Sequence, residues 1–150
     1  MDNHEHQLVS DRRGWPIARL LEFVSTLGYE INNQGLGPAQ WRAIRYFADA
    51  NRTACTVLAF SRQAGISKGS ASKTVALLVA KGLLRRSDNH DDRRSHFLEL
   101  TPAGDAVLSH DPLIPLAEAV DSLDNETREA VVRALEILAR DLWQEVGKAS

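Results

Sequence analysis

Apolar positions along this chain recur at two different periods, and the switches between them mark out its elements. From Trp15 to about Asn33, the residues Ile17, Leu20, Leu21, Val24, Leu27 and Ile31 return at helical spacing. Pro16 suits a first-turn position, and Gly35 and Gly37 end the run. Pro38 opens a second helix that reaches about Ala50 and carries Trp41, Ile44, Arg45 and Phe47. A short extended piece is expected around Ala54-Cys55-Thr56, then a third helix from Val57 to Ala64. Gly65-Ile66 reads as a tight turn, after which Ser67 is placed to cap a fourth helix through its hydroxyl. Gly82 stops that helix just beyond Lys81. Leu83 to Ser87 and Ser95 to Leu100 predict two strands of a hairpin, with a polar, charged tip from Asp88 to Arg94. Thr101 caps and Pro102 opens another helix, and Pro112 and Pro115 predict a break. The last helix is expected from near Asp124 to about Val146, with Val131, Leu135, Leu138 and Leu142 as its apolar stripe.

The fold class that follows is mainly α with a small β-wing (α+β). Helix, turn, helix and then a two-stranded hairpin is an order suited to docking on duplex DNA. On the fourth helix, Ala71, Val75 and Leu78 share one face and should pack inward. The opposite face carries Gly69, Ser72, Lys73 and Ala76, with Lys68 and Ser70 near its start. Small residues let a backbone approach a groove wall, and hydroxyls and ammonium groups bond base edges and phosphates. A major groove about 12 Å wide admits one such helix. Arg93 and Arg94 at the hairpin tip then stand near the adjacent minor groove or its phosphates, with Asp92 steadying one arginine by a charge-assisted bond. A charged tip alone is an ordinary solvated turn; its place after this helix pair is what favours DNA.

Charge supports the same view once it is divided. The chain is −2 overall, but residues 61–100 hold eight basic side chains against four acidic ones. A basic centre on an acidic body fits a DNA reader. Hydrophobic residues make up 43% and charged residues 25%, enough to bury a core. No stretch reaches the roughly 18 apolar residues of a membrane span, and the first residues lack a signal-peptide pattern, so a cytoplasmic protein is expected. Cys55 is the only cysteine, which excludes an internal disulfide and a multi-cysteine zinc site. Its apolar neighbourhood predicts a buried, unreactive thiol. His4, Glu5 and His6 are adjacent polar residues on a tail and predict no metal site. With no phosphate loop, zincin motif or paired carboxylates, no enzyme and no cofactor are expected.

Several segments, in order and at matching spacing, resemble one family. Leu36-Gly37-Pro38-Ala39-Gln40-Trp41-Arg42-Ala43-Ile44 is similar to the second-helix signature of the MarR family of regulators. Gly65 to Val75 resembles that family's recognition helix, and Lys81-Gly82-Leu83-Leu84-Arg85-Arg86 its entry to the wing. Asp91-Asp92-Arg93-Arg94 and Leu100-Thr101-Pro102-Ala103-Gly104 resemble the wing tip and exit. The resemblance implies a winged helix-turn-helix over 36–111, dimerisation helices at 14–35 and 112–150, and a flexible tail at 1–13. It implies a homodimer on a pseudo-palindromic site, most simply a repressor, with Ser67, Lys68, Ser70, Ser72, Lys73 and Arg94 on the DNA and Asp92 as the partner of Arg94. It also implies a small-molecule effector, with Trp15, Trp41, Arg45, Tyr46 and Phe47 as candidate lining residues. For Trp41 and Phe47 the plainer expectation is core. The competing function is a winged-helix module for protein interaction without DNA; acidic or bulky apolar residues on the outer face of the fourth helix would have favoured it.

Overall fold

The computed structural model describes residues 13–31, 33–88 and 96–149. Its elements run α1 (Trp15–Ile31), α2 (Pro38–Asp49), a 3-10 turn (Arg52–Ala54), α3 (Val57–Ala64) and α4 (Lys68–Ala80). There follow β1 (Leu84–Asp88), β2 (His96–Leu100), α5 (Pro102–Leu108), α6 (Leu113–Asp121) and α7 (Asn125–Ala149). The architecture is the mainly helical one with a two-stranded wing that the periodicity predicts. Contacts divide the chain into two units, Met1–Pro112 and Leu113–Ser150.

In the first unit, each helix of the central trio starts and stops on a specific group. The Gly37 N–H donates to Gln40 Oε1 at 3.0 Å, and Pro38 occupies the first turn of α2. Thr56 Oγ1 accepts from the Ala59 N–H at 3.1 Å to start α3. Gly65, at φ +64°, ends α3 in the left-handed conformation that a Cβ disfavours, which turns the chain sharply into α4. Ser67 Oγ then accepts from the Ser70 N–H at 3.1 Å, the cap expected of it.

The core is built where these helices meet the wing. Trp41, Ile44, Phe60, Val75, Leu78, Leu84 and Leu98 are all buried. Tyr46, Phe47 and Phe60 form an aromatic cluster with ring centroids 5.1 to 5.6 Å apart. The strands pair antiparallel, with Leu84 opposite Leu100 and Arg86 opposite Leu98. The hairpin is held at its base and at the middle of β2. Thr101 Oγ1 donates to Gly82 O at 2.6 Å, and the Leu98 N–H donates to Cys55 O at 2.8 Å. Of the expected extended piece Ala54-Cys55-Thr56, Ala54 ends the 3-10 turn, Cys55 caps it and Thr56 has extended backbone, so the piece is shorter than expected and meets the sheet through the Cys55 carbonyl.

The prolines act differently from one another. Helix α5 ends at Leu108, so the expected break precedes Pro112. Pro115, expected to interrupt the chain, lies in the first turn of α6, where its missing N–H has no helical partner to lose. A helix therefore stands where a kink was expected. Within the second unit, Arg128 joins α6 to α7. Its guanidinium donates to the carbonyls of Asp121 and Leu123 at 2.9 Å and of Val120 at 3.4 Å, closing the open end of α6.

Large apolar residues remain on the surface of two helices. Ile17, Leu20 and Phe23 of α1 and Leu135, Leu138, Leu142 and Trp143 of α7 are all exposed, Leu142 by 66%. Only Gly28 is buried on α1, where an added Cβ would strike the backbone carbonyl of Pro112. No helix among the described residues is long and apolar enough to cross a membrane.

Candidate functional site

Helix α4 is sharply two-sided. Ala71, Val75 and Leu78 have no exposed surface, while Lys68, Gly69, Ser70, Ser72, Lys73 and Ala76 are all exposed. The inward face packs against α3 and α2, which leaves open to solvent a face that is small and cationic over its first turns and carries exposed Leu77 further on. Its N-terminal turn contains no acidic residue. A helix tuned for its own stability puts carboxylates there to offset the positive end of the macrodipole. This one puts Lys68 there instead, adding positive charge to a positive terminus, an arrangement that favours an anion from outside. Ser67 and Ser70 are partly engaged with each other, their hydroxyls 2.9 Å apart. Ser72 and Lys73 extend the exposed row by one turn.

The basic residues of the wing are not equivalent. Arg85 faces Glu99 across the ladder and pairs with it at 2.9 Å, and Ser87 donates to the same carboxylate at 3.4 Å. Arg86 alternates to the opposite sheet face, level with Leu98, and stays exposed. Sequence reading did not separate these two arginines, although strand alternation carried the signal. Asp92, Arg93 and Arg94 lie outside the described residues.

A second feature of the first unit is a cavity of about 540 Å³ lined by Tyr29, Pro38, Arg42, Arg45, Tyr46, Asp49, Ala50 and Gln63. Arg45 makes a two-pronged pair with Asp111, both bonds 2.6 Å long. The Asp111 bond raises the Arg45 pKa against the opposing effect of burial, with Tyr29 adding to the rise. Arg42 donates one bond to Ala64 O, at 3.3 Å. Of the residues expected to bind a small molecule, Arg45 and Tyr46 line this cavity. Trp41 and Phe47 are core, Trp41 with no exposure at all and its Nε1 donating to Asn33 O. Trp15 is at the start of α1 and 39% exposed, away from the lining set. Sequence reading missed Tyr29, Arg42, Asp49 and Gln63. Arg42 and Arg45, three apart on one helix, gave a local signal; Tyr29 and Gln63 come from other elements and gave none.

Cys55 is buried beside a smaller cavity of about 270 Å³ that Arg52, Phe97 and Glu99 also line. Burial pushes its thiol pKa up, and the charge of Glu99 adds to that.

In sequence, residues 34–95 match the model of the MarR family. The fold is shared with solved structures across most of their length. A probable transcriptional regulator from Pseudomonas aeruginosa is 25% identical, with a TM-score of 0.68 over 86% of this chain and 98% of its own. BpsR of Bordetella bronchiseptica, whose DNA binding is regulated by 6-hydroxynicotinic acid, is 23% identical, with a TM-score of 0.66 over 87% of this chain and 94% of its own. The transcriptional repressor CouR, solved on a 23-mer DNA duplex, is 23% identical with a TM-score of 0.68 over the same shares. No curated protein matches the chain in sequence.

Proposed function

We propose that this chain is a DNA-binding transcription regulator, working as a ligand-responsive homodimeric repressor on a pseudo-palindromic operator in the cytoplasm; the match of residues 34–95 to the MarR family model supports the reading. The observation that carries the reading is the first two turns of the outer face of α4, small, hydroxylated and cationic and backed by buried Ala71, Val75 and Leu78; Leu77 is exposed one turn beyond Lys73. A protein-docking helix would present bulky apolar side chains along its whole outer face, whereas here Leu77 is the one such residue and the turns nearer the N-terminus carry none. Ser67, Lys68, Ser70, Ser72 and Lys73 meet the major groove in this reading, and the wing residues Arg93 and Arg94, with Asp92, meet the flanking backbone or minor groove.

The dimer is supported by the apolar rows left on α1 and α7, which exceed what a monomer of this size ordinarily exposes. Two copies related by a twofold axis present two reading helices to two half-sites. The cavity beside Arg42 and Arg45 is the effector site of this reading, and the 6-hydroxynicotinic acid response of BpsR supports a ring-bearing acid as its class. An effector that favours a different spacing of the two reading helices lowers operator affinity.

The test is a gel shift of the purified chain on the promoter of its own gene, with unrelated duplex as competitor. A shifted band that survives competition is the expected result. Equal affinity for both duplexes at physiological salt would overturn the operator reading.

A further inference from the structure

The cavity wall holds two guanidinium groups in different states. Arg45 is already satisfied by Asp111 through two bonds of 2.6 Å. Arg42 has no carboxylate partner among the described residues, and its one recorded bond is to the neutral carbonyl of Ala64 at 3.3 Å. An anion entering the cavity gains more from Arg42, because displacing a long bond to a carbonyl costs less than breaking a two-pronged ion pair. Asp49 also lines the cavity, but it lies two helical turns from Arg42, about 10 Å of rise along α2, so its repulsion falls mainly on the far end.

Ala64 is the last residue of α3, and Gly65 follows it at the left-handed turn that aims α4. The Arg42 bond thus caps the negative end of α3 at the turn itself. Two amide bonds close that turn, Gly65 N–H to Arg62 O at 3.3 Å and Ile66 N–H to Ser61 O at 3.0 Å. Gln63, one residue before Ala64, lines the same cavity.

We propose that Arg42 is the positioning residue that couples the cavity to the helix-turn-helix: a compact carboxylate anion draws its guanidinium from Ala64 O and loosens the turn before α4. This rests on the reading of the cavity as an effector site. The coupling runs inside one head and does not need a change at the dimer helices.

Benzoate and its uncharged counterpart benzamide probe it on the full-length protein. Binding is followed by tryptophan fluorescence, and the turn by amide hydrogen exchange over residues 61–70. In wild type, benzoate should bind and speed exchange at Gly65 and Ile66 severalfold, while benzamide leaves it unchanged. In Arg42→Met, benzoate should bind about tenfold more weakly, and exchange at the turn should be fast already without it. Arg42→Lys should keep part of the binding but not the capping of Ala64 O. Failure of benzoate to bind, binding without faster exchange at the turn, or equal acceleration in Arg42→Met would overturn the proposal. Each of these is independent of the gel shift, so a chain that binds its promoter but fails here remains a regulator with a different coupling.

Discussion

Lys73 is the residue whose chemistry and placement agree most fully. It is exposed on the face of α4 opposite three fully buried side chains, six residues after the serine cap. Replacing it by alanine removes one phosphate partner without touching the core. Lys73→Ala should weaken binding to operator and unrelated duplex alike and lower the slope of log affinity against log salt by about 0.9; an unchanged slope in a salt titration would refute the contact. Cys55 behaves in the opposite way. Its thiol is buried and its pKa is raised by that burial, so the folded state disfavours the thiolate. The stabilising contribution of the neutral thiol is complete below the ordinary value of 9.0 and is lost as pH rises above it. A thiol reagent should react at least about tenfold more slowly with folded protein than with protein in denaturant at pH 8, and equal rates would contradict the burial. Residues such as these two were legible in the sequence because period and neighbours fixed their faces. The Arg45–Asp111 pair was not, since its members stand 66 positions apart and neither lies in a pattern that names the other.

At the level of elements, caps and left-handed glycines were read nearly to the residue. The bounds of α3 and the starts of α4 and α5 follow from Thr56, Ser67 and Thr101, each accepting a backbone N–H three residues on. Helix α6 escaped because proline was read as a breaker, whereas its effect depends on whether the lost N–H had a partner. The junction between wing and α5 depends on a close approach that only the fold reveals. At Gly104 a Cβ would strike the backbone carbonyl of Leu83 and press on Leu100 Cδ2 at 2.9 Å. Because a backbone group cannot step aside like a side-chain end, Gly104→Ala should cost roughly 1–3 kcal/mol in urea denaturation. A variant as stable as wild type would show that the junction yields.

Large apolar residues stand exposed on α1 and, separately, on α7. Leu138 and Leu142 sit on the same face of α7, four apart, and both are exposed. Replacing both with glutamate should convert a dimer to a monomer in sedimentation and lower operator affinity by more than about tenfold, because one head then holds only one half-site. A wild-type chain that sediments as a monomer would sink the twofold arrangement.

The bond from the Leu98 N–H to Cys55 O has a mechanical outcome. It fastens the returning strand of the hairpin to main chain just ahead of the helix that braces the reader. Among side-chain replacements only Leu98→Pro, which removes the N–H, would cut such a fastening. In the proposed DNA complex, a pull on the hairpin would be passed through this bond to the chain ahead of α3. If both elements meet DNA as proposed, they must then shift in step.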